Sequence, residues 1–151
     1  MTEQYTFGML KIGQLVEALE LVRDVFYKYE APEYSREGIQ EFMRFIEPEE
    51  IEKLLMKNAM CMWICEDKGR VIGTLAACPD HIYLLFVNGK YHRKGIARRL
   101  FDYMIEHFDP PEVTVNSSLY AHEAYRKLGF VDTDVEQLVN GIRFIPMKYA
   151  R

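Results

Sequence analysis

Apolar residues recur at helical spacing up to about residue 56 and at strand spacing for much of the remainder. Tyr5 to Lys11 reads as a short first strand. Ile12, Leu15, Val16, Leu19, Val22 and Phe26 then repeat every three to four positions, which predicts an amphipathic helix over roughly 13–28. Glu30-Ala31-Pro32-Glu33-Tyr34 breaks that helix, and Ser35 is placed to cap a second one through Ile46. Pro48 starts a further helical turn, with Glu47, Glu49 and Glu50 suited to the positive end of its dipole.

From Ala59 the period shortens to that of strands. Met60–Glu66 and Val71–Cys78 flank Asp67-Lys68-Gly69, a hairpin signal. Ile82–Val87 is almost wholly apolar, the pattern of a strand buried on both faces. Ile96, Leu100, Met104 and Ile105 mark a helix, and Pro110-Pro111 leads into a strand at Glu112–Val115. A strand, a helix and another strand make a βαβ unit, so the two strands are expected to be parallel with a right-handed crossover. Ala121, Tyr125 and Leu128 share one face of a last helix that Gly129 is fitted to end. Asp132–Val139 and Ile142–Tyr149 flank Asn140-Gly141, a strong hairpin turn. The chain therefore reads as one domain spanning 1–151, of the α/β class with a mixed (α+β) sheet.

Composition narrows the function classes. The chain has 151 residues, 49% of them hydrophobic and 28% charged, as in ordinary globular proteins. Its net charge of −4 gives no global attraction to nucleic acid. No stretch reaches membrane-spanning length and the N-terminus lacks the pattern of a signal peptide, so a cytoplasmic location is expected. Cys61, Cys65 and Cys78 are an odd number without paired close spacing, which favours core thiols over disulfides or a metal site.

Against that acidic background, Lys90 to Arg99 carries Lys90, Arg93, Lys94, Arg98 and Arg99, plus His92 when protonated. The apolar strand Leu84-Leu85-Phe86-Val87 empties into Asn88-Gly89-Lys90-Tyr91 and then into His92-Arg93-Lys94-Gly95-Ile96-Ala97 at the head of a helix. Backbone N–H groups at a helix N-terminus, with cations beside them, suit a phosphate. Gly95 has no β-carbon to hold a ligand away.

The order of elements, with two local motifs, resembles the GNAT (Gcn5-related N-acetyltransferase) superfamily. Its acetyl-CoA motif is a strand ending in Val, then Gln/Arg-x-x-Gly-x-Gly/Ala. Here Leu85-Phe86-Val87 ends the strand and His92-Arg93-Lys94-Gly95-Ile96-Ala97 supplies the loop, with His92 departing from the usual first residue. The second motif, a helix ending in Tyr-x-x-x-Gly-Phe, matches Tyr125-Arg-Lys-Leu-Gly129-Phe130 after Val115-Asn116-Ser117-Ser118. The resemblance implies a central mixed seven-stranded sheet flanked by about four helices. It implies acetyl-CoA as co-substrate, no metal, an amine-bearing acceptor, and a fold often found as a homodimer.

Residue roles follow from the same resemblance. The pantetheine arm would lie along Leu85, Phe86 and Val87, where the strand splays from its neighbour. The pyrophosphate would meet the loop from His92 through Arg93, Lys94, Gly95, Ile96, Ala97 and Arg98. A backbone N–H near the end of that strand would hold the thioester carbonyl oxygen. Tyr125 occupies the position of the acid that protonates the departing thiolate. His81 lies six residues before the Val position, where the histone-modifying branch places its base, and Glu30, Glu33 and Glu136 are other candidates. Ser117 or Ser118 is an N-cap by residue type, and Asn116 or Ser118 is also placed to contact the coenzyme. No cysteine falls in either motif, which favours direct transfer in a ternary complex. The rival readings are a non-catalytic acyl-CoA-sensing domain, separated by whether any amine is acetylated, and a nucleic-acid-binding module. The acidic total and the lack of interleaved aromatics count against the latter.

Overall fold

The structure, a computed structural model, describes residues 4–151. β1 (Thr6–Met9) leads through a 3-10 turn at Ile12–Gln14 into α1 (Leu15–Val25). A π-helical turn at Phe26–Glu30 and a 3-10 turn at Ala31–Glu33 carry α1 on, and α2 (Arg36–Phe45) and α3 (Pro48–Met56) follow. Next come β2 (Cys61–Asp67), β3 (Arg70–Cys78), β4 (His81–Val87), α4 (Ile96–Phe108), β5 (Glu112–Ser117) and α5 (His122–Leu128). The chain closes with β6 (Val131–Asp132), β7 (Gln137–Val139) and β8 (Ile142–Ala150). The strands form one mixed sheet in the order β1-β2-β3-β4-β5-β8-β6, with β7 paired to the start of β8. Only β4 and β5 are parallel.

The long apolar runs become central strands because the sheet is covered on both faces. Met62 and Ile64 of β2 join one core with Leu19, Val22 and Phe26 of the α1 region. Their alternates Trp63 and Cys65 join a second core with Leu100 and Met104 of α4. Side chains alternate along a strand, so each face feeds a different layer. At the β2–β3 turn Lys68 and Gly69 both take positive φ, 52° and 80°, as a two-residue hairpin of matching twist requires. Ser35 caps α2, its Oγ accepting from the Gly38 N–H at 3.2 Å.

Four expectations are revised. The sheet has eight strands rather than seven, because the run expected at 132–139 is divided into β6 and β7 by residues 133–136. Five α-helices flank it rather than about four, since Pro48 begins a full helix. Glu30-Ala31-Pro32-Glu33 does not break the first helix but continues it in π and 3-10 geometry, Pro32 sitting in a first turn where no N–H is needed. β4 packs against a core on each face, but one face is buried only in part. Leu84 and Phe86 are buried, but Leu85 and Val87 are partly open.

The opening beside β4 has a backbone cause. β4 and β5 pair only at His81↔Thr114 and Ile82↔Val115. The β3–β4 register slips at the same level, where Ala76 faces Leu84 and Ala77 faces Ile82, leaving Tyr83 as an extra residue. Such a bulge bends and twists its strand. Beyond it, β5 stays paired with β8 through Ser117 while β4 diverges. A wedge opens between two strands of the sheet, along the backbone of Leu84 to Val87.

Candidate functional site

The end of β4 is tied down before the basic loop begins. Asn88 N–H donates to the Ile72 carbonyl at 2.8 Å, and its side-chain oxygen accepts from the Lys90 N–H at 2.9 Å. His92 Nε2 donates to the Val87 carbonyl at 2.8 Å, folding the loop back onto the strand end. That bond requires the proton on Nε2. Tyr91 Oη donates to Asp67 at 2.6 Å, anchoring the same loop to the β2–β3 hairpin. Arg93 and Gly95 take left-handed φ values of 65° and 77° and turn the chain into α4. The hydrogen-bonded ladder of α4 starts with Arg99 N–H to the Gly95 carbonyl at 3.1 Å. The amides of Ile96, Ala97 and Arg98 therefore point out of the N-terminus, a geometry suited to an anion.

The cationic side chains divide. Arg98 donates through Nη2 to the Lys127 carbonyl at 2.8 Å, so its guanidinium joins α4 to the end of α5. Arg99 lies over the Phe7 ring at 4.0 Å and faces away from the loop. Arg93 lines the groove beside β4, whereas Lys94 does not.

Tyr125 is held by the way its helix ends. Phe130 N–H donates to the Tyr125 carbonyl and Gly129 N–H to the Arg126 carbonyl, both at 3.0 Å. With Gly129 at φ 110°, these are the paired bonds of a Schellman cap. A β-carbon on Gly129 would also crowd the Tyr149 ring, 3.0 Å from Cε1. The Phe130 ring supplies the accompanying apolar contact, edge-on to Tyr125 with centroids 5.4 Å apart. Tyr-x-x-x-Gly-Phe is thus a helix stop that seats a tyrosine.

Two cavities meet at that tyrosine. One, of about 620 Å³, runs from the basic loop along Leu85, Phe86 and Val87, with Ala121, Ala124 and Leu128 among its opposite wall. The other, of about 380 Å³, lies between α2, the start of β4 and the β7–β8 hairpin, with Phe42, Phe45, Tyr83 and Phe144 among its walls. Leu85, Phe86, Ala121, Tyr125 and Glu30 line both.

The junction is electrostatically unusual. Glu30 is only 7% exposed. Burial pushes its carboxyl up to about 7; a bond from the Ser118 side chain opposes the rise and the nearby Glu33 charge adds to it. Burial, and then the Glu30 charge, raise the Tyr125 phenol well above its ordinary value, so it stays protonated across the physiological range. His81 lines the second cavity only. Its Nδ1 pairs with Thr114 Oγ1 at 2.8 Å, and burial lowers its pKa against the opposing pull of Asp80.

The loop residues His92, Arg93, Gly95, Ile96, Ala97 and Arg98 all line the first cavity, as do Leu85, Phe86 and Val87. Asn116 and Ser118 line the second instead. Ser118 Oγ accepts from the Ala121 N–H at 3.1 Å, securing the turn ahead of α5 rather than capping the helix from its first position. Glu136 lies outside both cavities, paired with Arg143 at 2.8 Å on the surface. Tyr29 and Tyr120 carried no motif. Their rings stack at 4.9 Å, and Tyr29 also meets His92 at 5.6 Å, next to the loop. The signal for Glu30 was its position four residues after Phe26, a carboxylate on the apolar stripe of its helix.

No group of three His, Cys, Asp or Glu side chains among the described residues is placed to hold a metal ion. No helix among them is long and apolar enough to cross a membrane.

Comparison with known proteins agrees with this geometry. Among proteins of curated function, no sequence match is found. The GCN5-related N-acetyltransferase (aminotransferase, class II) of Rhodopseudomonas palustris superposes with a TM-score of 0.83 at 18% identity, over 100% of this chain and 99% of that one. The PaiA N-acetyltransferase of Thermoplasma acidophilum, solved with coenzyme A, gives 0.80 at 18% identity over 98% and 99%. An aminoglycoside 6′-N-acetyltransferase complexed with coenzyme A gives 0.71 at 14% identity over 96% of each chain. These likenesses establish the shared fold. The family model for the acetyltransferase (GNAT) domain matches residues 30–151, from the buried glutamate through both motifs to the last strand, and the chain belongs to that family.

Proposed function

We propose that the protein is an acetyl-CoA-dependent N-acetyltransferase that acts on a primary amine by direct attack in a ternary complex. The observation that carries this reading is the meeting of two cavities at Leu85, Phe86 and Tyr125, one running to an anion cradle and one opening on the opposite side. A donor with an anionic end and a distant thioester suits the first, and an amine suits the second.

Coenzyme fit rests on three features of the chain. The amides of residues 96–98 receive the pyrophosphate, His92 holds the loop that presents them, and the wedge beside Leu85–Val87 offers main-chain groups to the amide-bearing arm. A backbone N–H at the end of that wedge stabilises negative charge on the thioester oxygen. Tyr125, kept protonated by its surroundings, donates to the departing thiolate.

The amine must be neutral to attack, yet an alkylamine with a pKa near 10.4 is neutral only about one part in a thousand at pH 7. The second cavity has two residues suited to take the extra proton, His81 and Glu30. Aminoglycosides, diamines, free lysine and peptide N-termini are the acceptors to assay. Release of coenzyme A thiol with this panel, wild type against Tyr125→Phe, tests the reading. Amine-dependent release that collapses in the variant supports it. Tight coenzyme binding without release from any amine would instead favour the sensing role.

A further inference from the structure

Among the described residues, only one ionisable side chain besides Tyr125 lines both cavities, and it is Glu30. Its placement comes from the backbone. The π-helical turn at Phe26–Glu30 inserts an extra residue per turn where α1 ends, and Pro32 follows at once. Single π turns of this kind re-aim a side chain at the cost of helix regularity. Here the turn directs a carboxylate inward, among Tyr34, Ser118 and Tyr125 rather than to solvent.

We infer that Glu30, rather than His81, accepts the proton of the incoming ammonium at the junction of the two cavities, and that its position there selects acceptors arriving as alkylammonium ions. The inference rests on the acetyltransferase reading above. Position along β4 separates the two residues. His81 precedes the Tyr83 bulge and lines the acceptor cavity alone, whereas the coenzyme-lined part of β4 begins at Leu85. Four residues of strand set His81 back by roughly 13 Å. Glu30 borders the same space as Leu85, Phe86 and Tyr125.

The proton balance closes with groups already present. R–NH3⁺ gives one proton to the Glu30 carboxylate, leaving R–NH2 and a neutral carboxylic acid. The amine lone pair forms the N–C bond and the C–S bond breaks, its electron pair leaving on sulfur. Tyr125 O–H protonates that thiolate, and the second amine proton restores Tyr125. Glu30 then returns the first proton to solvent. The products are R–NH–CO–CH3, CoA–SH and H⁺.

The charged groups around Glu30 set when it works. Glu33 on the following turn raises its pKa, and Ser118 ahead of α5 lowers it. The Tyr34, Tyr120 and Tyr125 phenols all feel the Glu30 charge and stay protonated. His81 and Glu41 line the outer part of the cavity, with Glu41 paired to Arg44.

The test is the pH dependence of kcat/KM for the full chain with acetyl-CoA and n-butylamine, putrescine and an aminoglycoside, comparing wild type with Glu30→Gln and His81→Gln. Coenzyme A affinity is measured in parallel. The wild type and His81→Gln are expected to show a rising limb with an inflection near 7. Glu30→Gln is expected to lose that inflection and about 100-fold in rate at pH 7, with coenzyme affinity within threefold of wild type. Its rate should then climb tenfold per pH unit towards the pKa of the amine. Glu30→Gln within twofold of wild type and with an unchanged profile would overturn the assignment, as would loss of the inflection in His81→Gln alone. A wild type that acetylates none of these amines would overturn the enzyme reading beneath it.

Discussion

Phe130 N–H donates to the Tyr125 carbonyl at 3.0 Å, and the two rings meet edge-on 5.4 Å apart. A residue beyond the helix thereby fixes the side chain proposed as the acid. The motif that marks the family is at once a helix stop and a site device, because the Schellman bond and its apolar contact both end on Tyr125.

Gly129→Ala places a β-carbon at φ 110°, against the Tyr149 ring. A destabilisation of about 1–3 kcal/mol is expected, read as a lower melting temperature. Because the cap also seats Tyr125, kcat should fall by more than coenzyme affinity does.

Tyr125→Phe removes one hydroxyl and keeps the ring that packs on Phe130. On the acid assignment kcat falls on the order of 100- to 1,000-fold. Coenzyme A affinity, measured by calorimetry, should stay within threefold of wild type.

His92→Ala deletes the bond to the Val87 carbonyl that folds the loop onto β4. A net loss near 1 kcal/mol corresponds to roughly fivefold weaker coenzyme A binding. His92→Gln retains a side-chain N–H donor and should recover most of it.

How far the residues alone carried the reading differs by region. The hairpin turns, the Ser35 cap and the stripe on α1 were legible because each is a local rule. The βαβ unit was legible as well, since its connection is short. The wedge between β4 and β5 was expected only through the family resemblance; the residues themselves do not show it, because it depends on a one-residue slip at Tyr83 that leaves no mark in an all-apolar run. Asn116 and Ser118, read as candidate coenzyme contacts, line the second cavity rather than the one that runs to the basic loop, since β5 follows β8 while β4 turns away. Glu30 stood out only as one carboxylate among several. Its burial is a product of the π-helical turn and of contact with α5, which is remote in sequence.

Glu30 also makes stability depend on pH in a direction opposite to most carboxylates. Its folded-state pKa of about 7 lies above the ordinary value of 4.5, so the folded state holds this proton more tightly than the unfolded chain does. The associated stability is fully present below about pH 4.5 and is lost as pH rises through about 7. The whole displacement corresponds to about 3 kcal/mol. Glu30→Gln should therefore raise the melting temperature at pH 8 by several degrees more than at pH 5. Thermal scans of both proteins at the two pH values check this.

Gly38 lies against the turn of the β7–β8 hairpin, where a β-carbon would collide with the Gly141 carbonyl. Gly38→Ala pushes α2 from the hairpin and loosens the walls of the acceptor cavity, costing about 1–3 kcal/mol. The Michaelis constant for the amine should rise while that for acetyl-CoA holds.

The central claim is that donor and acceptor cavities share one reaction centre at Leu85, Phe86 and Tyr125. A crystal structure with coenzyme A bound tests it most directly. The account predicts the pyrophosphate on the amides of residues 96–98, the pantetheine arm along Leu85–Val87, and the sulfur within hydrogen-bonding distance of Tyr125 Oη. A coenzyme whose sulfur ends away from Tyr125, or whose arm leaves the wedge beside β4, would contradict it.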